Sequence, residues 1–166
     1  MTPNEKTIHK FYTAFANADT EIMFSCYDSI IRFRDPIFGL LHGKDVLCMW
    51  SMLAEKSQGN LKIELSNVKA DNFLGSATWI ATYNYGPRKR KVINKIYANF
   101  HFKDGLIIKH TDDFDIWKWA TQALGLKGFL FGWTGFMQKK IHENALISLK
   151  KYKKTHFDTK HSNSTL

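Results

Sequence analysis

His110 and Asp112 stand two apart in LIIKHTDDFD, residues 106–115, a run that reads as a β-strand. On a strand such residues share a face, with Cα atoms roughly 6.5–7 Å apart. A carboxylate at that spacing can hold and charge an imidazole, which gives a general acid or base near neutral pH. A carboxyl raised by apolar surroundings is the other route to such a group, and Asp35 fits it, among Phe33, Pro36, Ile37 and Phe38. These three residues point to acid/base isomerisation, cyclisation or hydrolysis of a small apolar molecule. Each also has a structural reading. Asp35 can cap the Pro36 turn, Asp112 or Asp115 can N-cap the following helix, and His110 can be a hydrogen-bonded core histidine. His110-x-Asp112 offers two metal ligands and no neighbouring residue completes a set, so neither a metal nor a cofactor is expected.

The hairpin that carries the pair sets out a pocket face. With Lys103-Asp104-Gly105 as a three-residue loop, Phe100 opposes Ile108, Ala98 opposes His110, Ile96 opposes Asp112 and Asn94 opposes Phe114. The other face pairs Lys95 with Asp113 and Tyr97 with Thr111. The first face is mostly apolar, so its floor is expected from Asn94, Ile96, Ala98, Phe100, Ile108, His110 and Asp112. Phe33, on Asp35's side of its strand, and Trp50, on the helix beyond, are expected to touch the ligand as well.

These residues need elements to position them. Thr2-Pro3-Asn4-Glu5 has the pattern of a capping box with proline at the first helical position. Ile8, Phe11, Tyr12, Phe15 and Ala16 then recur at helical spacing, and a short helix through Ile22, Met23 and Cys26 completes a hairpin. Residues 29–35 alternate as a strand that ends at Pro36, and Gly39 and Gly43 bracket a loop. Val46, Leu47, Trp50 and Leu53 mark a third helix, after which strands run at 61–71, 73–85, 89–102 and 106–115. Helices followed by consecutive strands give an α+β order rather than βαβ alternation.

At 166 residues with 44% hydrophobic side chains, one folded domain is expected. The net charge of +9 is uneven. Residues 116–166 hold nine lysines against Glu143 and Asp158, and so carry +7 of it. Arg88-Lys89-Arg90-Lys91 reads as a solvated turn without interleaved aromatics, so no nucleic-acid partner is expected. Two cysteines without a CxxC pair argue against a disulfide framework, and with no secretory signal or long apolar run the reading is cytoplasmic.

From 116 onward the pattern turns aromatic and helical. Residues 129–137 (FLFGWTGFM) are too short to span a bilayer and costly to leave in water. Three roles compete for them: a lid over a pocket mouth, a strap on a dimer partner, or a membrane-surface anchor beside the lysines. The lid or strap is preferred because it needs no further partner. A basic helix with Ile141, Ala145, Leu146 and Leu149 on one face follows, and HSNSTL at the end is expected to fray. The organisation expected is a main domain at 1–137 and a basic helix and tail at 138–166.

FYTAFANAD in the first helix, RFRDPIFGLLHGKD at the strand end and KHTDDFDIWKW closing the last strand resemble the nuclear transport factor 2-like superfamily, in its SnoaL-like branch, over residues 5–137. The resemblance implies a cone: a curved antiparallel sheet wrapped by N-terminal helices, here with a C-terminal helical extension, and a homodimer formed through the outer sheet face. Ketosteroid isomerase is a member. Its base matches Asp35 and its tyrosine donor Tyr12, whereas its second donor, an acid, falls on Ala98. Limonene epoxide hydrolase, also a member, matches at Asp112, while its arginine and earlier acid fall on Ile96 and Ala98. The resemblance thus adds Tyr12 to the candidates and leaves each relative's catalytic set incomplete. The same cone without turnover, a ligand-binding or adaptor domain, is the alternative.

Overall fold

The capping box forms as the sequence dictates: Glu5 N–H donates to Thr2 Oγ1 at 3.1 Å and Thr2 N–H to Glu5 Oε2 at 2.7 Å. It starts α1, Pro3–Ala16, whose inner side buries Ile8, Phe11, Tyr12 and Phe15. Asn4 Nδ2 donates to the Asp71 carbonyl at 2.7 Å, which pins the start of α1 to the far edge of the sheet. The computed structural model describes residues 1–57 and 59–158, so the end expected to fray, 161–166, lies outside the described residues.

After α2, Thr20–Ser25, come β1, Tyr27–Asp35, and α3, Lys44–Ser57. The stretch expected as a loop between Gly39 and Gly43 is instead a short strand, β2, Gly39–His42, that turns back along β1 and pairs Phe33 with Leu41. Then follow β3, Lys62–Ala70, β4, Leu74–Tyr85, β5, Arg90–Lys103, and β6, Leu106–Asp113. The sheet order is β2-β1-β6-β5-β4-β3. This is the expected α+β cone with one difference: β1 lies parallel to β6, so the sheet is mixed rather than wholly antiparallel. That pairing joins the first strand to the last, and the α1–α3 side of the core packs into the concavity.

β5 alternates strictly, burying Val92, Asn94, Ile96, Ala98, Phe100 and Phe102 on one face. Its register with β6 differs from the expected one. The turn has two residues, Asp104 and Gly105, with φ of 52° and 80°, and it pairs Lys103 with Leu106. A bulge on β6 then shifts the ladder, so that Phe100 faces His110, Ala98 faces Asp112, and Tyr97 rather than Lys95 faces Asp113. The shorter turn and the extra residue each move the register by one, so parity is kept and His110 and Asp112 stay on the inner face. Ile108 is the residue left over at the bulge. Ile107 is fully buried in its place and Ile108 is half-buried.

Asp115 N-caps α4, Ile116–Leu124, by accepting from Lys118 N–H at 3.0 Å. α5, Leu126–Phe131, and α6, Gly135–Lys153, follow. α4 and α6 form a second small core with β5 around Val92, Trp119, Ala120 and Ile141. The boundary expected after Met137 falls inside the first turn of α6. Leu149 of that helix belongs to the main core, and Lys153 Nζ reaches Asp45 on α3 at 2.6 Å. Among the described residues no helix is long and apolar enough to cross a membrane.

Candidate functional site

A cavity of about 800 Å³ lies between α3, the inner faces of β1, β4 and β5, and the α4–α6 segment. Phe33, Trp50, Trp79, Ile96 and Trp119 give it an aromatic and aliphatic wall; Asp35, Asn94 and Asp112 are set into that wall. Lys56, Lys89, Lys127 and Lys140, all exposed, also line it. Mostly apolar walls with a few convergent polar groups are the usual make-up of a small-molecule site.

Beneath the cavity His110 is wholly buried, stacked on Trp50 at 5.8 Å and packed against Phe100 at 4.5 Å and Phe33 at 5.2 Å. Its polar atoms are spoken for. Nε2 lies 3.0 Å from Asp112 Oδ1, and Nδ1 lies 2.7 Å from the Tyr27 hydroxyl. A carboxylate only accepts, so its bond with His110 uses an Nε2–H, and Nδ1 and the Tyr27 hydroxyl share the second bond. The Tyr12 hydroxyl is a longer 3.4 Å from Nε2. Burial, and then the charge of Asp112, push both Tyr12 and Tyr27 well above the usual phenol range, so both keep their protons. Trp79 Nε1–H donates to the same Asp112 oxygen at 3.4 Å.

Asp35 ends β1 at the cavity. Its Oδ1 accepts the backbone N–H of Ile37 at 2.9 Å and that of Phe38, which closes the Pro36 turn. Both bonds fall on one oxygen. Loss of water around the carboxyl outweighs them, and with the charge of Asp112 it raises Asp35 to about 7. The two carboxyls approach through the parallel ladder. β1 and β6 pair Phe33 with His110 and Arg34 with Thr111, so Asp35 and Asp112 are the next positions along it and share the inner face.

A family model for the SnoaL-like domain matches residues 8–110 of the chain. The chain belongs to the SnoaL-like domain family. No curated protein matches its sequence. Among solved structures it is similar to Bal32a from a soil-derived mobile gene cassette, with TM-score 0.65 at 20% identity over 73% of this chain and 96% of that one. It is also similar to an LEH-like epoxide hydrolase of M. tuberculosis, with TM-score 0.58 at 19% identity over 77% and 95% of the two chains. TerC, co-crystallised with polyporic acid, aligns with TM-score 0.60 at 15% identity over 69% of this chain and 92% of that one. Likeness at such identities is likeness of fold.

In this SnoaL-like domain Asp35, Asp112, Asn94, Ile96, Phe33 and Trp50 line the cavity. His110 and Tyr12 do not line it; they lie sealed below, joined to it through Asp112. Ala98 and Phe100 are buried on the same face but behind the lining, because the shifted register sets them against Asp112 and His110. Ile108 is off the floor at its bulge. Asp115, not Asp112, caps α4. The exposed aromatics of 129–136 are not part of the cavity wall, although their neighbours Lys127, Met137 and Lys140 are. That limits the lid reading to those three residues.

Sequence reasoning passed over Trp79, Tyr83 and Tyr27. Trp79 was within reach: carrying alternation across the Gly86 turn sets it opposite Ile96, and Tyr83 opposite Val92. Tyr83 Oη accepts from Trp119 Nε1 at 2.8 Å and so ties α4 to the sheet. Tyr27 had no local signal, because only the parallel pairing of β1 with β6 brings it to His110.

Proposed function

We propose that this SnoaL-like domain binds a small apolar molecule in its cavity and moves a proton on it through Asp35, in an isomerisation, cyclisation or hydrolysis. The observation that carries this reading is the placement of Asp35 beside Asp112 at an apolar cavity wall, with Asp35 near 7. A carboxyl there is shared between its protonated and ionised forms at neutral pH, so it can take a proton and return it. Asp112 acts on Asp35 through its charge, and His110, Tyr27 and Trp79 hold Asp112 in place. Aromatic walls with exposed lysines beside them favour a ligand with an apolar body and an acidic end. The Asx bonds of Asp35 to Ile37 and Phe38 are also what a purely structural aspartate makes, and they favour the second reading, a binding domain without turnover. Two copies would pair through the outer sheet face, where Ile93 and Tyr97 are exposed.

Native mass spectrometry of the purified chain should show a bound small molecule, displaced when Ile96→Trp fills the cavity. Conversion of that molecule, followed by mass in deuterated water, should fall roughly 10²–10⁴-fold in Asp35→Asn. Equal rates in the wild type, Asp35→Asn and Asp112→Asn would leave only the binding reading.

A further inference from the structure

A run of exposed apolar side chains lies outside the cavity, along α5 and the turn into α6. Leu126 is 72% exposed and Phe136 77%, and Phe129, Leu130, Phe131 and Trp133 are each about half exposed or more. Water alone is a poor cover for such a patch. The backbone beneath it is prepared to leave water. The last carbonyls of a helix normally depend on solvent. Here the carbonyls of Phe129, Leu130, Phe131 and Gly132 accept from Trp117 Nε1 at 3.0 Å, Trp133 Nε1 at 3.1 Å, Thr134 Oγ1 at 2.6 Å and Gln138 Nε2 at 3.3 Å respectively. Four consecutive acceptors are satisfied by side chains of this segment and of the flanking α4 and α6, and both exposed indoles spend their N–H on backbone carbonyls. A polar group that already has its partner loses little on entering an apolar medium.

Charge selects the occupant. From Asp115 to Glu143 these two acids stand at the ends, and between them lie four exposed lysines, Lys118, Lys127, Lys139 and Lys140, of which Lys139 is 3.9 Å from Glu143. A second copy docking through the same patch would set these lysines against themselves, since a two-fold contact uses one surface twice. An anionic lipid surface complements them, and elements as short as α5 rest on a bilayer rather than span it. We propose that residues 126–136 dock this protein on the surface of an anionic bilayer. Because Lys127, Met137 and Lys140 line the cavity, a docked molecule turns the opening toward the lipid, and its apolar ligand enters from there. This last step rests on the ligand-binding reading; the docking does not.

The test is flotation of the full chain with vesicles of phosphatidylcholine alone and with about 30% phosphatidylserine. The wild type should partition at least about tenfold more strongly onto the serine-containing vesicles, less so as salt rises. Leu126→Ser with Phe136→Ser, at the two most exposed positions, should abolish flotation with an unchanged melting temperature. Lys118→Gln with Lys139→Gln, both outside the cavity wall, should weaken it about 25-fold, at roughly fivefold per lysine. Asp35→Asn should float like the wild type, which separates failure of docking from failure of the catalytic reading. No flotation, equal flotation on both vesicles, flotation that survives the serine substitutions, or a soluble dimer that Phe136→Ser dissociates would each overturn the proposal.

Discussion

Asp35 and Asp112 each follow Arg34–Thr111, the last pair of the parallel β1–β6 ladder, and line the same cavity. Strands in a sheet run about 4.8 Å apart, so two carboxyls come together that the chain separates by nearly half of its length. The folded protein holds Asp35 near 7 while the unfolded chain ionises it near 3.8. Between those values the native state keeps a proton that the unfolded state has released. Stability therefore falls as pH rises through this window, by at most about 1.4 kcal/mol per pH unit, and less because water partly reaches the carboxyl.

Asp35→Asn removes that slope while its Oδ1 still accepts from Ile37 and Phe38. Urea denaturation at pH 5 and pH 8 should show the variant losing about 1–3 kcal/mol less than the wild type over the interval. Parallel curves would mean that Asp35 titrates in the ordinary carboxyl range.

Tyr27→Phe should destabilise more than Tyr12→Phe. The first leaves His110 Nδ1 buried without its 2.7 Å partner, at about 1–3 kcal/mol. The second removes only a 3.4 Å contact to Nε2, where Asp112 remains as partner. Denaturation midpoints of the two variants give the order, and the reverse order would place the main bond of His110 on Tyr12.

The bulge makes two adjacent isoleucines unequal. Ile107→Ala should cost about 3–4 kcal/mol as a fully buried truncation, and Ile108→Ala about 1 kcal/mol or less. Equal costs would indicate the unbulged register in which Ile108 faces the core.

Gly128→Ala should destabilise by about 1–3 kcal/mol, because a Cβ there would sit on the Ala120 carbonyl of α4. Thermal unfolding measures it. A neutral result would show that α5 does not lie tightly on α4.

Local chemistry alone determined a good part of this protein. The capping box of α1, the alternation of β5, the place of the β5–β6 turn though not its length, and the Asp115 cap each depend on residues within a turn or a few strand positions, and such signals are written in contiguous sequence. The three stretches around Tyr12, Asp35 and Asp112 were sufficient to mark the family. They also named most of the polar groups at the site, since an acid held in an apolar run has few other uses.

Tertiary structure decided what those groups do together. No local pattern states that β1 pairs with β6, yet that pairing brings Asp35 to Asp112 and Tyr27 to His110. The bulge at Ile108 was equally silent, because a bulge answers to the packing of both faces rather than to the turn before it. His110 reads from sequence as a pocket residue, but the rings of Phe33, Trp50 and Phe100 close over it, and only their packing in three dimensions makes it a support for Asp112. The aromatic run at 129–136 could have been buried as it stands. It faces outward because Gly128 and Gly132 bring the backbone, not the side chains, onto α4.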